Sequence, residues 1–164
     1  MGGSKNEKRE NAQNSSWETR KRIFEYFKKQ DAPSMRDEPR REGNGHNYVS
    51  IRTCRKFNIA IHLSSDMSRM RKVWTYVFSR DPDGRLDRRI IDNIDKNNPP
   101  VGATFVDCSN DPRRGINTRN VCKLERDIDW RQLGDKGIEK LLEDYKWFVR
   151  ELRRIGVLEC EVTK

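Results

Sequence analysis

The stretch from Asp135 to Ile155 constrains this chain more than any other. Ile138, Leu141, Leu142, Tyr145, Phe148, Val149, Leu152 and Ile155 recur three and four apart, the spacing of one face of an α-helix. Gly156 follows at the position where a left-handed residue ends such a helix. A long helix with one apolar stripe must lie against an apolar surface supplied by the rest of the chain. Only 33% of the residues are hydrophobic and 37% are charged, so that surface has to be gathered into sharp stripes.

Those stripes are visible upstream. Val49 and Ile51 in the segment Tyr48 to Thr53, and Phe57, Ile59, Ile61 and Leu63 in the next, alternate with polar residues, which predicts two strands joined by a tight turn. From Arg71 to Ser79, Val73, Thr75 and Val77 alternate with Trp74, Tyr76 and Phe78. Both faces of that strand are apolar or aromatic, the pattern of an interior strand or of one that offers aromatics to a partner. Ala103 to Cys108 and Thr118 to Arg126 read as a second hairpin around a turn at Asn110 to Asn117. Two further helices are expected. One is capped by Ser15 or Ser16, buries Trp17, Ile23, Phe24 and Phe27, and turns Arg20 to Arg22, Lys28 and Lys29 to solvent. The other, short, carries Leu86, Ile90, Ile91 and Ile94 and exposes Arg85, Arg88, Arg89 and Lys96.

The predicted fold class is α+β: a mainly antiparallel sheet of about five strands with helices on one face, in the order α-β-β-β-α-β-β-α. At 164 residues the chain is long enough for one domain and short for two. We expect a single domain over residues 16–164, a disordered tail over 1–15 and a flexible charged loop over 33–47. No run of 18 apolar residues occurs and the first residues are polar. A cytoplasmic protein with no membrane association is therefore expected. Cys54, Cys108, Cys122 and Cys160 are scattered without a close pair, so they read as buried free thiols and not as zinc ligands with His46 and His62.

Catalytic motifs are scarce. No phosphate loop, dinucleotide fingerprint or zinc-protease motif is present. Neither a cofactor nor a metal is expected. A magnesium-dependent nuclease would need converging carboxylates and a lysine, and Asp107, Asp111, Glu125 and Asp127 are the candidates. The acid-x-lysine spacing occurs in the folded part only at Asp144-Tyr145-Lys146, inside the last helix. His62 beside Ser64 and Ser65 is a weak nucleophile pair without an orienting third group.

Charge is the better lead. The net formal charge is +9, distributed as +3 over residues 1–46, +7 over 47–126 and −1 over 127–164. A basic middle attracts polyanions. Arg52, Arg55, Lys56, Arg69, Arg71 and Lys72 flank the first three strands, and Arg113, Arg114 and Arg119 surround the second hairpin turn. Sharing one face, they would form a phosphate-binding surface on which Trp74 and Tyr76 stack bases. The expected function is a non-catalytic basic module with nucleic acid as partner. The alternatives are a protein-interaction module or inhibitor subunit with a protein partner, and the magnesium-dependent nuclease.

Several features bear a family likeness: the strand Tyr48-Val-Ser-Ile, the strand Phe57 to Leu63, the helix Leu86 to Asp95, and the Asp129-Trp130 step before a long helix bearing Trp147 and Phe148. Over Tyr48 to Ile155 the chain resembles an uncharacterised bacterial and archaeal domain family found C-terminal to restriction-endonuclease-like nuclease domains. The resemblance implies association with DNA-processing or defence systems, and it supplies no catalytic residues.

Overall fold

A computed structural model describes residues 15–30, 48–52, 57–64, 71–79, 86–108 and 122–157. Helix α1 spans Ser16–Lys29. Strands β1 (Tyr48–Arg52), β2 (Phe57–Leu63) and β3 (Val73–Ser79) follow, then a short helix α2 (Arg88–Asn93), strands β4 (Thr104–Asp107) and β5 (Cys122–Arg126), a 3-10 turn at Trp130–Gln132 and helix α3 (Asp135–Ile155). The expected α+β architecture is present, with the helices packed on one face of a five-stranded antiparallel sheet. Among the described residues no helix is long and apolar enough to cross a membrane.

The strand order is β1-β2-β3-β5-β4. β5 inserts between β3 and β4, so β3 is the middle strand and β4 an edge. Residues of one parity form the core face: Val49, Ile51, Ile59, Ile61, Val73, Val77, Cys122 and Leu124 are all buried. Against this face lie Ile23 and Phe27 of α1, Ile90 and Ile91 of α2, and the stripe of α3. The opposite parity carries Tyr48, His62, Trp74, Tyr76 and Phe78, which are half-buried.

The local chemistry explains each helix. Ser15 caps α1 by accepting a hydrogen bond at Oγ from the Glu18 N–H, 3.1 Å away, the Ser-x-x-Glu arrangement favoured at helix starts. Helix α3 has the expected bounds, and Gly156 closes it at φ 87°, a conformation that costs a residue with a Cβ more than it costs glycine. Of the cations expected in solvent, one is buried and another is only partly exposed. Arg20 is buried, its Nε donating to Ser16 O and Oγ. Arg22 reaches the start of α3, donating to the Leu133 carbonyl and pairing with Asp135 at 3.2 Å. Trp17, expected in the core, is half-exposed under the Lys21 ammonium.

Trp130 ties the layers together. It is fully buried, and its indole N–H donates to Ser64 O at 2.9 Å at the end of β2. Its own carbonyl accepts from Thr19 Oγ1 of α1. Asp129, the residue before it, caps the 3-10 turn by accepting from the Arg131 N–H.

A candidate nucleic-acid interface

The candidate site is built on the sheet face turned away from the helices. Cross-strand register places Tyr48 beside His62, and His62 beside Trp74, in one row across β1, β2 and β3. Two residues along β3, Tyr76 faces Ala60 on one side and Lys123 on the other. Phe78 follows opposite Asn58. The rings touch in sequence. Tyr48 stacks on His62 with centroids 5.2 Å apart and planes within 12°. His62 and Tyr76 meet edge to face at 5.3 Å, and Tyr76 stacks with Phe78 at 5.7 Å. These are the offset and edge-to-face geometries that aromatic quadrupoles favour.

Lys123 completes the surface. It projects from β5 toward this face but is only 1% exposed. Its Nζ lies 4.9 Å from the centre of the Trp74 ring and 5.3 Å from that of Tyr76, and it donates to Tyr76 Oη at 3.4 Å. A cation held between two ring faces orients both rings.

At one end of this face is a polar cleft of about 400 Å³ between Lys72, Glu125, Asp127 and Lys140. The Lys72 ammonium hydrogen-bonds Glu125 and lies 3.6 Å from Asp127. The bond to Glu125 raises the Lys72 pKa above the ordinary lysine value. Burial pushes the Glu125 carboxyl up, but Lys72, Lys123 and the Trp74 indole together outweigh that and hold it below the ordinary glutamate value. Arg71 is ion-paired with Asp129 at 4.0 Å.

The expected site residues therefore divide. Trp74 and Tyr76 lie side by side on the aromatic face. Arg71 and Lys72 flank β3 but sit on carboxylates. Arg52 holds the last register position of β1, opposite Asn58, in the same row as Phe78. Arg55, Lys56, Arg69, Arg113, Arg114 and Arg119 lie outside the described residues. Tyr48, His62, Phe78 and Lys123 were not singled out beforehand as site residues. Alternation along β1, β2 and β3 carries the signal for the first three, because they share parity with Trp74 and Tyr76.

Of the carboxylates singled out for metal chemistry, Glu125 and Asp127 meet at the Lys72 ammonium in the polar cleft, and Asp107 does not join them. Asp107 pairs in register with Cys122, whereas Glu125 lies three residues further along β5 and so on the opposite face. Asp107 accepts from Arg88 Nη2 at 2.8 Å. Asp144 is buried, in a bidentate pair with Arg126. Asp111 lies outside the described residues, among which no cluster of three His, Cys, Asp or Glu side chains could hold a metal ion. The His62 ring stands between Tyr48 and Tyr76, while Ser64 Oγ accepts from Trp130 Nε1 and the Lys72 N–H. Cys108 and Cys122 are free thiols and buried as expected, burial pushing the Cys122 pKa up; Cys54 and Cys160 lie outside the described residues.

No protein-family model matches this sequence, and no curated protein or solved structure matches it either.

Proposed function

We propose that this domain is a non-catalytic nucleic-acid-binding module whose working surface is the aromatic face of the sheet. One observation carries the reading: five rings, Tyr48, His62, Trp74, Tyr76 and Phe78, share the face that the described helices leave alone, and none of the five is buried. Rings needed only for the core would stand on the helix side. Contiguous, partly exposed aromatic surface marks an interaction site. The charge of the surrounding chain selects the partner, because residues 47–126, which contribute all five strands, carry a net +7. The family resemblance over Tyr48 to Ile155 adds a setting in DNA processing or defence, with any catalysis supplied by another chain.

The test is fluorescence anisotropy of the full chain with labelled single-stranded and duplex oligonucleotides at low salt. Binding is expected, weakened when Trp74→Ala is combined with Tyr76→Ala, and weakened more steeply by salt than in the Arg113→Ala, Arg114→Ala variant. Absence of binding to every nucleic acid at low salt refutes the proposal.

A further inference from the structure

Taking from that reading only the nucleic-acid partner, and not the aromatic face, we infer that the C-terminal half of α3 is a contact surface for the phosphate backbone of a duplex. Lys146, Arg150 and Arg153 form it, a row of exposed cations four and three residues apart on the side of the helix turned from the core.

The charge pattern along α3 changes halfway. Asp135, Glu139, Glu143 and Asp144 precede Tyr145, and only Glu151 follows it. On the exposed face of the first half, Lys136 and Lys140 are offset by Glu139 and Glu143. Beyond Glu143 that face carries cations alone. Glu151 does not offset the row, because its carboxylate is turned to Arg154 and the Asp95 N–H. Among the described residues, no carboxylate lies within ion-pair distance of Lys146, Arg150 or Arg153. Cations elsewhere differ: Arg71, Lys72 and Arg88 sit on Asp129, Glu125 and Asp107.

Helix stability does not account for the row. Like charges three and four residues apart weaken a helix. A helix C-terminus favours cations only within its last turn. That explains Arg153 and Arg154 and leaves Lys146 and Arg150, which lie earlier in the helix, unexplained by the dipole.

Charge and shape select the partner. From Lys146 to Arg153 the helix rises about 10.5 Å, at about 1.5 Å per residue. A duplex presents one negative charge per about 1.7 Å of its axis, so roughly six lie along that length. Release of the counterions condensed on them rewards a row of cations in a way that a compact acidic patch does not. A membrane surface fits less well. Helices that lie on lipid bury an apolar face in it, and the apolar stripe of α3, from Ile138 to Leu152, is committed to the core.

The experiment measures the anisotropy of a labelled mixed-sequence duplex with the full chain between about 0.05 and about 0.2 M salt. Two double variants remove equal charge: Lys146→Gln with Arg150→Gln in the row, and Lys96→Gln with Lys136→Gln, exposed cations outside it. The row variant should bind about tenfold or more weakly at the lower salt, and its slope of log affinity against log salt should be shallower by about 2. The other variant should change much less in both. Thermal melting confirms that each variant folds. Undiminished duplex binding by the row variant, or equal losses in the two variants, overturns the inference and leaves the aromatic-face reading standing. Loss in the row variant, with normal duplex binding by Trp74→Ala combined with Tyr76→Ala, supports the row and removes the aromatic face. Tighter binding of phosphatidylserine vesicles or of polyglutamate than of the duplex, at equal salt, assigns the row to another partner and overturns the inference. Failure of every nucleic acid to bind removes both readings.

Discussion

Arg126 and Asp144 meet through two parallel hydrogen bonds, Nε to Oδ2 at 2.7 Å and Nη2 to Oδ1 at 2.8 Å, with both side chains almost sealed from water. The remaining Nη1 donates to the Val101 carbonyl at 2.9 Å, so the guanidinium joins β5, α3 and the turn before β4. Removing one partner leaves a buried charge alone. Asp144→Ala should destabilise the fold by about 3–5 kcal/mol, whereas Arg126→Met with Asp144→Leu should come within about 1–2 kcal/mol of the unaltered protein. Urea unfolding of the two singles and the double measures the coupling; additive losses would show that the pair does not act as a unit.

Gly102 makes room for that guanidinium. It has φ 85°, and a Cβ built there would lie 2.9 Å from Arg126 Nη1. Gly102→Ala therefore combines a disfavoured backbone conformation with a displaced arginine, and a loss of about 1–3 kcal/mol is expected. The loss should shrink in the Arg126→Met, Asp144→Leu background. An equal loss in both backgrounds would confine the effect to the backbone.

Acid sensitivity has a defined contributor in Glu151. Its carboxylate accepts from Arg154 and from the Asp95 N–H at 2.8 Å, and the Arg154 bonds with that amide hold its pKa below the ordinary glutamate value despite partial burial. A carboxyl with a depressed folded pKa binds protons more weakly when folded than when unfolded. Its stabilisation is present above the unfolded glutamate pKa and is lost as pH falls through the folded one. Glu151→Gln should flatten the fall in unfolding free energy across that acid window and leave the slope near neutrality unchanged. Identical acid slopes for the two proteins would remove Glu151 from the account.

Thiol reactivity separates the cysteines. Cys108 and Cys122 are buried, and burial holds the Cys122 thiol in its protonated, unreactive form at neutral pH. In a Cys54→Ser, Cys160→Ser variant, a thiol reagent should react only as fast as the protein opens, and fully once denatured. Rapid labelling of the native variant would contradict this burial.

Much of the fold was legible because burial imposes period. The stripe from Ile138 to Ile155 and the glycine after it fixed the bounds of α3, and alternation located both faces of β1, β2 and β3. Strand order was not legible. The insertion of β5 beside β3 depends on closing a chain segment that contains α2 and β4, and no local pattern reports that closure. The buried polar groups were half-legible. Asp144 falls three residues after Leu141 and four before Phe148, on the apolar stripe itself, so its spacing announces a buried acid; nothing in the sequence names Arg126 as the partner. Lys123 was concealed for a related reason: a lysine between Cys122 and Leu124 reads as the wetted side of a strand, and only the rings of β3 account for its burial. The candidate face was legible where it rests on aromatic parity, in Trp74 and Tyr76. Where it rests on individual charges it was not, because ion pairing of Arg71 and Lys72 depends on carboxylates distant in sequence.

The order of the strands also governs how the domain can be assembled during synthesis. β1, β2 and β3 can pair with one another as they emerge, but β4 appears before the strand it needs and has no neighbour until β5 arrives. β5 must then complete two ladders at once, one to β3 and one to β4. The first helix can cover part of the apolar side of the meander early, but the part that α3 covers stays open until α3, later still, arrives. Non-local closure of this kind is slow and leaves sticky surface exposed. A ribosome stalled before Cys122 would therefore hold a nascent meander with an unguarded edge at β3, a substrate for chaperones and for association with other nascent chains.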